Sequence, residues 1–235
     1  MKHEAVKALV ESFGQRYSEE LGISLLSGED KEIFKWFLAS VLFGTPIREI
    51  SVIKTYKCFE KYNVLTPLRI LEAGWDELVR ILDEGGYTRY DFKTADKLLA
   101  VMRNLLENYE GSLTLLDERA SDCRDLEKRL KDLGKGIGDV TVNIFLREFR
   151  GILEKANPNP TNLVIVAARS LGIIEEGSGE AALAELEKFW RHNRIAGKSF
   201  VNFETALLRL GKDFCKKRRG AACQVKDECL HRKAI

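Results

Sequence analysis

The chain has 235 residues, room for one to two domains, and its 45% apolar and 31% charged residues are the proportions of a soluble globular protein. The longest apolar stretches, Trp36 to Phe43 and Leu163 to Ala168, fall far short of the roughly 20 residues a bilayer span needs, and residues 1–20 have mixed charge with no apolar signal region. Thirty-eight Lys and Arg against 36 Asp and Glu leave +2, which neither demands nor excludes a polyanionic partner, because the local arrangement of charge decides that. A cytoplasmic compartment is expected, where the five cysteines are thiols or metal ligands rather than disulfides.

In chain order, an amphipathic N-terminal stretch leads to Ser27-Gly28-Glu29-Asp30, a helix-start composition. It introduces a helix whose face is Ile33, Phe34, Phe37, Leu38, Val41 and Leu42. Helical spacing continues over Ile47 to Tyr62 after Pro46, Trp75 to Leu82 after Gly74, and Arg89 to Tyr109 after Gly85-Gly86. Further helices are expected at Leu126 to Leu133, Val140 to Phe149, Leu163 to Leu171, Ala181 to Trp190 and Phe200 to Leu210. No alternating run with a hairpin turn appears, so the expectation is all-α. Trp36, Trp75 and Trp190 fall in these apolar patterns and are expected in the core, and Cys58 and Cys123 are ordinary helix residues.

Two breaks separate the helices. Lys155-Ala156-Asn157-Pro158-Asn159-Pro160-Thr161-Asn162 bars helix with its prolines and favours turns and caps with its asparagines, which makes it the better boundary between lobes. Gly134-Lys135-Gly136-Ile137-Gly138 allows a sharp reversal between two helices. The open N–H groups at the start of the second helix form a site for one phosphate, with Lys135 as an added charge, although Asp139 works against an anion unless it caps the helix. The same glycines also serve a plain turn, since one glycine-rich turn is a weak motif.

Leu130 to Asn143, read through this turn, resembles the helix-hairpin-helix of the endonuclease III branch of DNA glycosylases. The segment Gly85 to Leu98 is similar to the family stretch that opens a helix with glycine, aromatic and basic residues. Ala168-Arg169-Ser170-Leu171-Gly172 is similar to the end of the helix after the catalytic aspartate, and Leu207 to Cys229 resembles the entry to an iron–sulfur loop. The resemblance implies an all-α, two-lobed helix-hairpin-helix DNA glycosylase fold, with a six-helix lobe over 30–153 containing the hairpin 134–138, and a second lobe of 1–29 plus 154–235. It also implies a monomer with no membrane association that binds duplex DNA through phosphates, using Lys135, Gly136, Ile137, Gly138, Val140, Thr141, Lys216 and Lys217.

The family's catalytic residues are not matched. A Schiff-base lysine would fall on Val140, counting from Gly138, and the aspartate on Pro160, counting back from Arg169 and Leu171. No aspartate stands between Val140 and Gly211; the nearest carboxylate is Glu154, and the nearest lysines are Lys135 and Lys155. Val41-Leu42-Phe43-Gly44-Thr45 lacks the glutamine that would fill the gap of a flipped base. The expectation is therefore a damage-specific N-glycosylase without the lyase lysine or, from another class, a non-catalytic DNA-binding or lesion-sensing protein. Cys215, Cys223 and Cys229 form C-x7-C-x5-C where the family has four cysteines, so they read as an incomplete ligand set for an iron–sulfur cluster or zinc, with His231 as a fourth donor, or as a loop held by packing alone. Around them Lys212, Lys216, Lys217, Arg218 and Arg219 make the densest basic run of the chain.

Overall fold

The computed structural model describes residues 1–175 and 177–230, and among them there are helices and turns but no strand. None of these helices is long and apolar enough to cross a membrane. The chain divides into two compact units, Ser18–Asn157 and Met1–Tyr17 with Pro158–Ile235. Among the described residues there are twelve α-helices: α1 (His3–Phe13), α2 (Tyr17–Glu20), α3 (Asp30–Phe43), α4 (Glu49–Lys61), α5 (Pro67–Gly85), α6 (Asp91–Tyr109), α7 (Leu113–Glu118), α8 (Cys123–Asp132), α9 (Asp139–Arg147), α10 (Asn162–Ser170), α11 (Gly179–His192) and α12 (Phe200–Leu210).

The central unit is built on α3. Its two apolar faces are both buried, so Phe34, Trp36, Phe37, Leu38, Val41 and Leu42 all lie inside. Trp36 donates its indole N–H to the Phe145 carbonyl at 3.1 Å, and Phe37 meets Phe145 edge-on with ring centroids 5.4 Å apart, fixing α9 against α3. Removing a ring as buried as Phe145 costs about 3–5 kcal/mol. Residues 18–29 belong here and not with the termini, as the sequence division at 29/30 had it. Leu21, Ile23 and Leu25 are buried, Ser24 N donates to Glu32 at 2.9 Å, and Lys57 reaches the Leu21 carbonyl at 3.3 Å. α5 starts at Pro67 under a Thr66 cap, earlier than its apolar pattern indicated, and breaks at Gly74, whose φ of 71° only glycine adopts readily.

The other unit is centred on α12. Phe203 stacks on Trp190 and Phe189 at 5.4 and 5.7 Å, and Asn202 donates to the Gly14 carbonyl at 2.8 Å, which ties α1 to α12. α12 continues into a π-helical turn, Gly211–Cys215, that passes so close to α10 that a Cβ on Gly211 would lie 2.1 Å from the Leu163 carbonyl oxygen.

Candidate nucleic-acid interface

The hairpin is set by packing on both sides. α8 buries Leu126 and Leu130 and, just past its end, Leu133 follows; Ile137 N donates to the Gly134 carbonyl at 3.1 Å, closing the turn, and buried Ile137 anchors it. One face of α6 is the platform beneath: Lys97, Val101 and Asn104 recur at helical spacing. Asn104 Nδ2 donates to the Leu133 carbonyl at 2.8 Å, and a Cβ on Gly134 would stand 2.8 Å from Val101 Cγ2. Gly136 has a φ of 95°, and a Cβ there would lie 3.0 Å from Lys97 Cε, so a side chain strains the backbone and crowds the lysine stem.

α9 then starts without a side-chain cap. Gly138 is its N-cap, and among the described residues the N–H groups of Asp139, Val140 and Thr141 have no hydrogen-bond acceptor. Asp139 does not cap the helix; it forms an ion pair with Lys131 of α8, which offsets its charge. Lys135 is exposed and, like Lys97, has no carboxylate partner among the described residues. Burial pushes the Lys97 amine below the ordinary lysine range. The arrangement is thus three open amides, the positive end of a helix and two unpaired amines, a combination that suits a phosphate oxygen.

Of the residues expected at this surface, Lys135, Gly136, Gly138 and Val140 are exposed. Ile137 and Thr141 are buried, and the Thr141 hydroxyl faces Gly44, where a Cβ would come within 2.1 Å of it, so these two offer backbone only. Lys97 had no signal in the sequence beyond its place in the basic segment that precedes the hairpin.

The positions of the absent chemistry are equally defined. Val140 is 63% exposed and carries no amine, and Pro160 is buried. Thr161 caps α10 by accepting from Val164 N, at a long 3.5 Å. Glu154 is exposed, while Lys155 donates to the Asp117 and Glu118 carbonyls at 2.6 and 3.5 Å at the end of α7. Glu148, which nothing in the sequence singled out, is wholly buried and accepts from Ser18 N at 3.1 Å.

In the C-terminal loop, Cys215 and Cys223 pack against the core of their unit. Burial pushes both thiols up, and the neighbouring Cys229 adds to this at each. Leu230 N donates to the Ser170 carbonyl at 2.8 Å, fastening the loop to the end of α10. No group of three His, Cys, Asp or Glu among the described residues is arranged to hold a metal ion, and His231 lies outside the described residues. The basic run divides: Lys217 pairs with Asp213 at 2.8 Å, Lys212 donates to the Tyr17 hydroxyl at 3.3 Å, and Lys216, Arg218 and Arg219 are exposed.

Trp36 and Trp190 are core residues, but Trp75 is not: it is 39% exposed, beside the more open Phe92. The break at Gly74 puts Trp75 at the start of a new helical segment, where the apolar spacing it shares with Leu78 and Leu82 does not bury it. Compared with known proteins, the chain matches no family model and no curated protein.

Proposed function

We propose that this chain is a duplex-DNA-binding protein of base-excision repair, built on the two-lobed helix-hairpin-helix glycosylase fold of the endonuclease III branch, and that as an enzyme it is a DNA N-glycosylase without a lyase step. The observation that carries the reading is the uncapped start of α9 behind the Gly134–Gly138 turn, with Lys97 and Lys135 beside it. These groups contact phosphates and not base edges, so binding is nearly independent of sequence and falls with added salt as counterions are released. Base removal would expose an abasic sugar, and Val140 supplies no amine to attack it.

A second reading, a lesion sensor without catalysis, is favoured by a different observation: the family aspartate position holds the buried Pro160, and Lys155 is tied to two carbonyls. Incubation with a panel of lesion-bearing duplexes, scored separately for base release and strand nicking, decides between them. Base release without nicking, and no borohydride-trapped complex, is the expected outcome. Binding with neither activity establishes the sensor, and a trapped complex that vanishes in Lys135→Ala overturns both.

A further inference from the structure

The C-terminal loop carries three thiols that phosphate binding does not use. Cys215 ends the π-helical turn that continues α12, and from there the backbone winds through short 3-10 turns at Gly220–Ala222 and Lys226–Glu228 to Cys229. Turn hydrogen bonds run the length of this path. Arg218 N donates to the Cys215 carbonyl at 3.2 Å, Cys223 N to Gly220 at 3.0 Å, Lys226 N to Cys223 at 3.3 Å, and Cys229 N to Lys226 at 3.2 Å. A chain coiled in this way travels little for its length.

The two ends of the loop return to Ser170, the last residue of α10. Its carbonyl accepts from the N–H of Leu230, directly after Cys229, at 2.8 Å, and its hydroxyl is the hydrogen-bonding neighbour of the Cys215 thiol. The Leu230 side chain lies 3.1 Å from where a Cβ on Gly172 would stand, which holds the same end of the loop a second time. Cys215, Cys223 and the buried Val225 pack against one core that includes Leu171. Burial is the main cause that raises the Cys215 and Cys223 thiols, and the other thiols add to it: Cys223 and Cys229 at Cys215, and Cys229 at Cys223. The three sulfurs therefore sense one another's charge. Cys58 and Cys123 belong to the other unit.

We propose that Cys215 and Cys229 are a dithiol–disulfide pair, a redox-sensitive staple that closes the basic loop when an oxidant is present and opens in a reducing compartment. The oxidant is a small-molecule disulfide of the glutathione type. The Cys229 thiolate attacks one of its sulfurs and expels one small thiolate, leaving a mixed disulfide; the Cys215 thiolate then attacks Cys229 Sγ and expels the second. The protein loses two electrons and two protons, and the small disulfide takes up both as two thiols. Cys229 reacts first because it stands on the last turn beside Leu230, which is 70% exposed, whereas Cys215 packs against the core. Lys216, Lys217, Arg218 and Arg219 lie between the bridged sulfurs, so the staple fixes the segment that carries them. Nothing in this step depends on DNA binding.

The full chain is incubated with oxidised glutathione or with dithiothreitol, and four quantities are read: free thiols, the disulfide map by mass spectrometry, the melting temperature, and the rate of tryptic cutting within 216–219. Oxidation should remove two of the five thiols, map a bridge from Cys215 to Cys229, and raise the melting temperature by about 5 °C, because the bridge restricts the unfolded chain. Cutting should slow severalfold as local opening of the loop is suppressed, and dithiothreitol should reverse every change. Cys215→Ser and Cys229→Ser, checked for folding by circular dichroism, each abolish the bridge, and Cys223→Ser keeps it. Five thiols retained under oxidant, a bridge that maps to Cys223 or between two chains, or glutathione adducts that persist on both cysteines each overturns the proposal. So does a mapped bridge that leaves melting and cutting unchanged, or a purified chain that holds iron or zinc on these thiols.

Discussion

α9 and α10 follow the two turns that interrupt the helical pattern, and they begin in opposite ways. α9 starts at Gly138, which gives its first turn no acceptor, and α10 starts at Thr161, whose hydroxyl takes the Val164 N–H. The first helix start leaves its amides open to an anion, and the second has one of them taken by its own side chain, behind a buried Pro160. A helix dipole is common to both, so the dipole does not distinguish them. The difference is made by which residue precedes the first turn, and here the open start coincides with the unpaired amines Lys97 and Lys135.

The largest break in this contrast comes from Gly136→Asp. The substitution places a side chain where φ is 95° and where a Cβ would meet Lys97 Cε at 3.0 Å, and it adds a carboxylate to an anion site. Duplex affinity should fall about tenfold or more, with a stability cost of about 1–2 kcal/mol from the left-handed backbone. Gly136→Ala carries the strain without the charge. Fluorescence titration with thermal melts of both variants separates the two causes, and equal affinity of the Asp and Ala variants would remove the electrostatic part.

Lys97→Met follows. Methionine keeps the apolar stem over Gly136 and deletes the amine, so affinity should drop severalfold and the salt slope by about one. Its stability should not drop at neutral pH. Because the folded pKa is lowered by burial, the cost of holding the charge is present at and below neutral pH and is relieved as pH rises through that lowered value toward the ordinary one. The parent should therefore gain stability on going alkaline while its DNA affinity declines, and the Met variant should show neither trend. A variant that melts lower at neutral pH would assign Lys97 to structure alone.

Lys216→Ala with Lys217→Ala tests the other basic surface. Lys217 is already paired with Asp213, so the salt slope should fall by about one and not two. A decrease of two would mean that DNA displaces that ion pair, and no change would retire the loop as a phosphate contact.

The helices were legible because four prolines and paired glycines punctuate long three-to-four apolar spacing, a local signal. The short α7 carried too few residues to show a period, and α5 began eight residues before its clearest pattern because Thr66-Pro67 is a start signal of its own. The hairpin glycines were legible for the same local reason. Lys97 was not, since its approach to Gly136 is a tertiary contact. Trp75 followed its helix period and still misled, because the Gly74 break changes the face that the period describes. Nor did spacing expose Glu148, whose carboxylate accepts from the backbone N–H of Ser18, a tertiary contact.

The smallest expected effects sharpen the contrast most. Thr161→Ala removes a long cap bond and should cost about 0.5 kcal/mol, the low end for such caps, with no change in duplex affinity. Gly138→Ser makes the reverse change at α9. Gly138 already has the extended backbone of an N-cap, φ −113° and ψ −175°, and a Cβ there meets nothing within 4 Å, so serine fits without strain. Its hydroxyl would accept from the Val140 or Thr141 N–H, stabilising the helix by a few tenths of a kcal/mol and raising the melting temperature by about 1 °C. The same bond takes one amide away from a phosphate, and duplex affinity should weaken about two- to threefold as stability rises. Paired melts and titrations at one salt concentration read both signs together. If the serine variant gains stability and binds duplex as tightly as the parent, the open amides of α9 are not the phosphate ligands and the lysines alone account for binding.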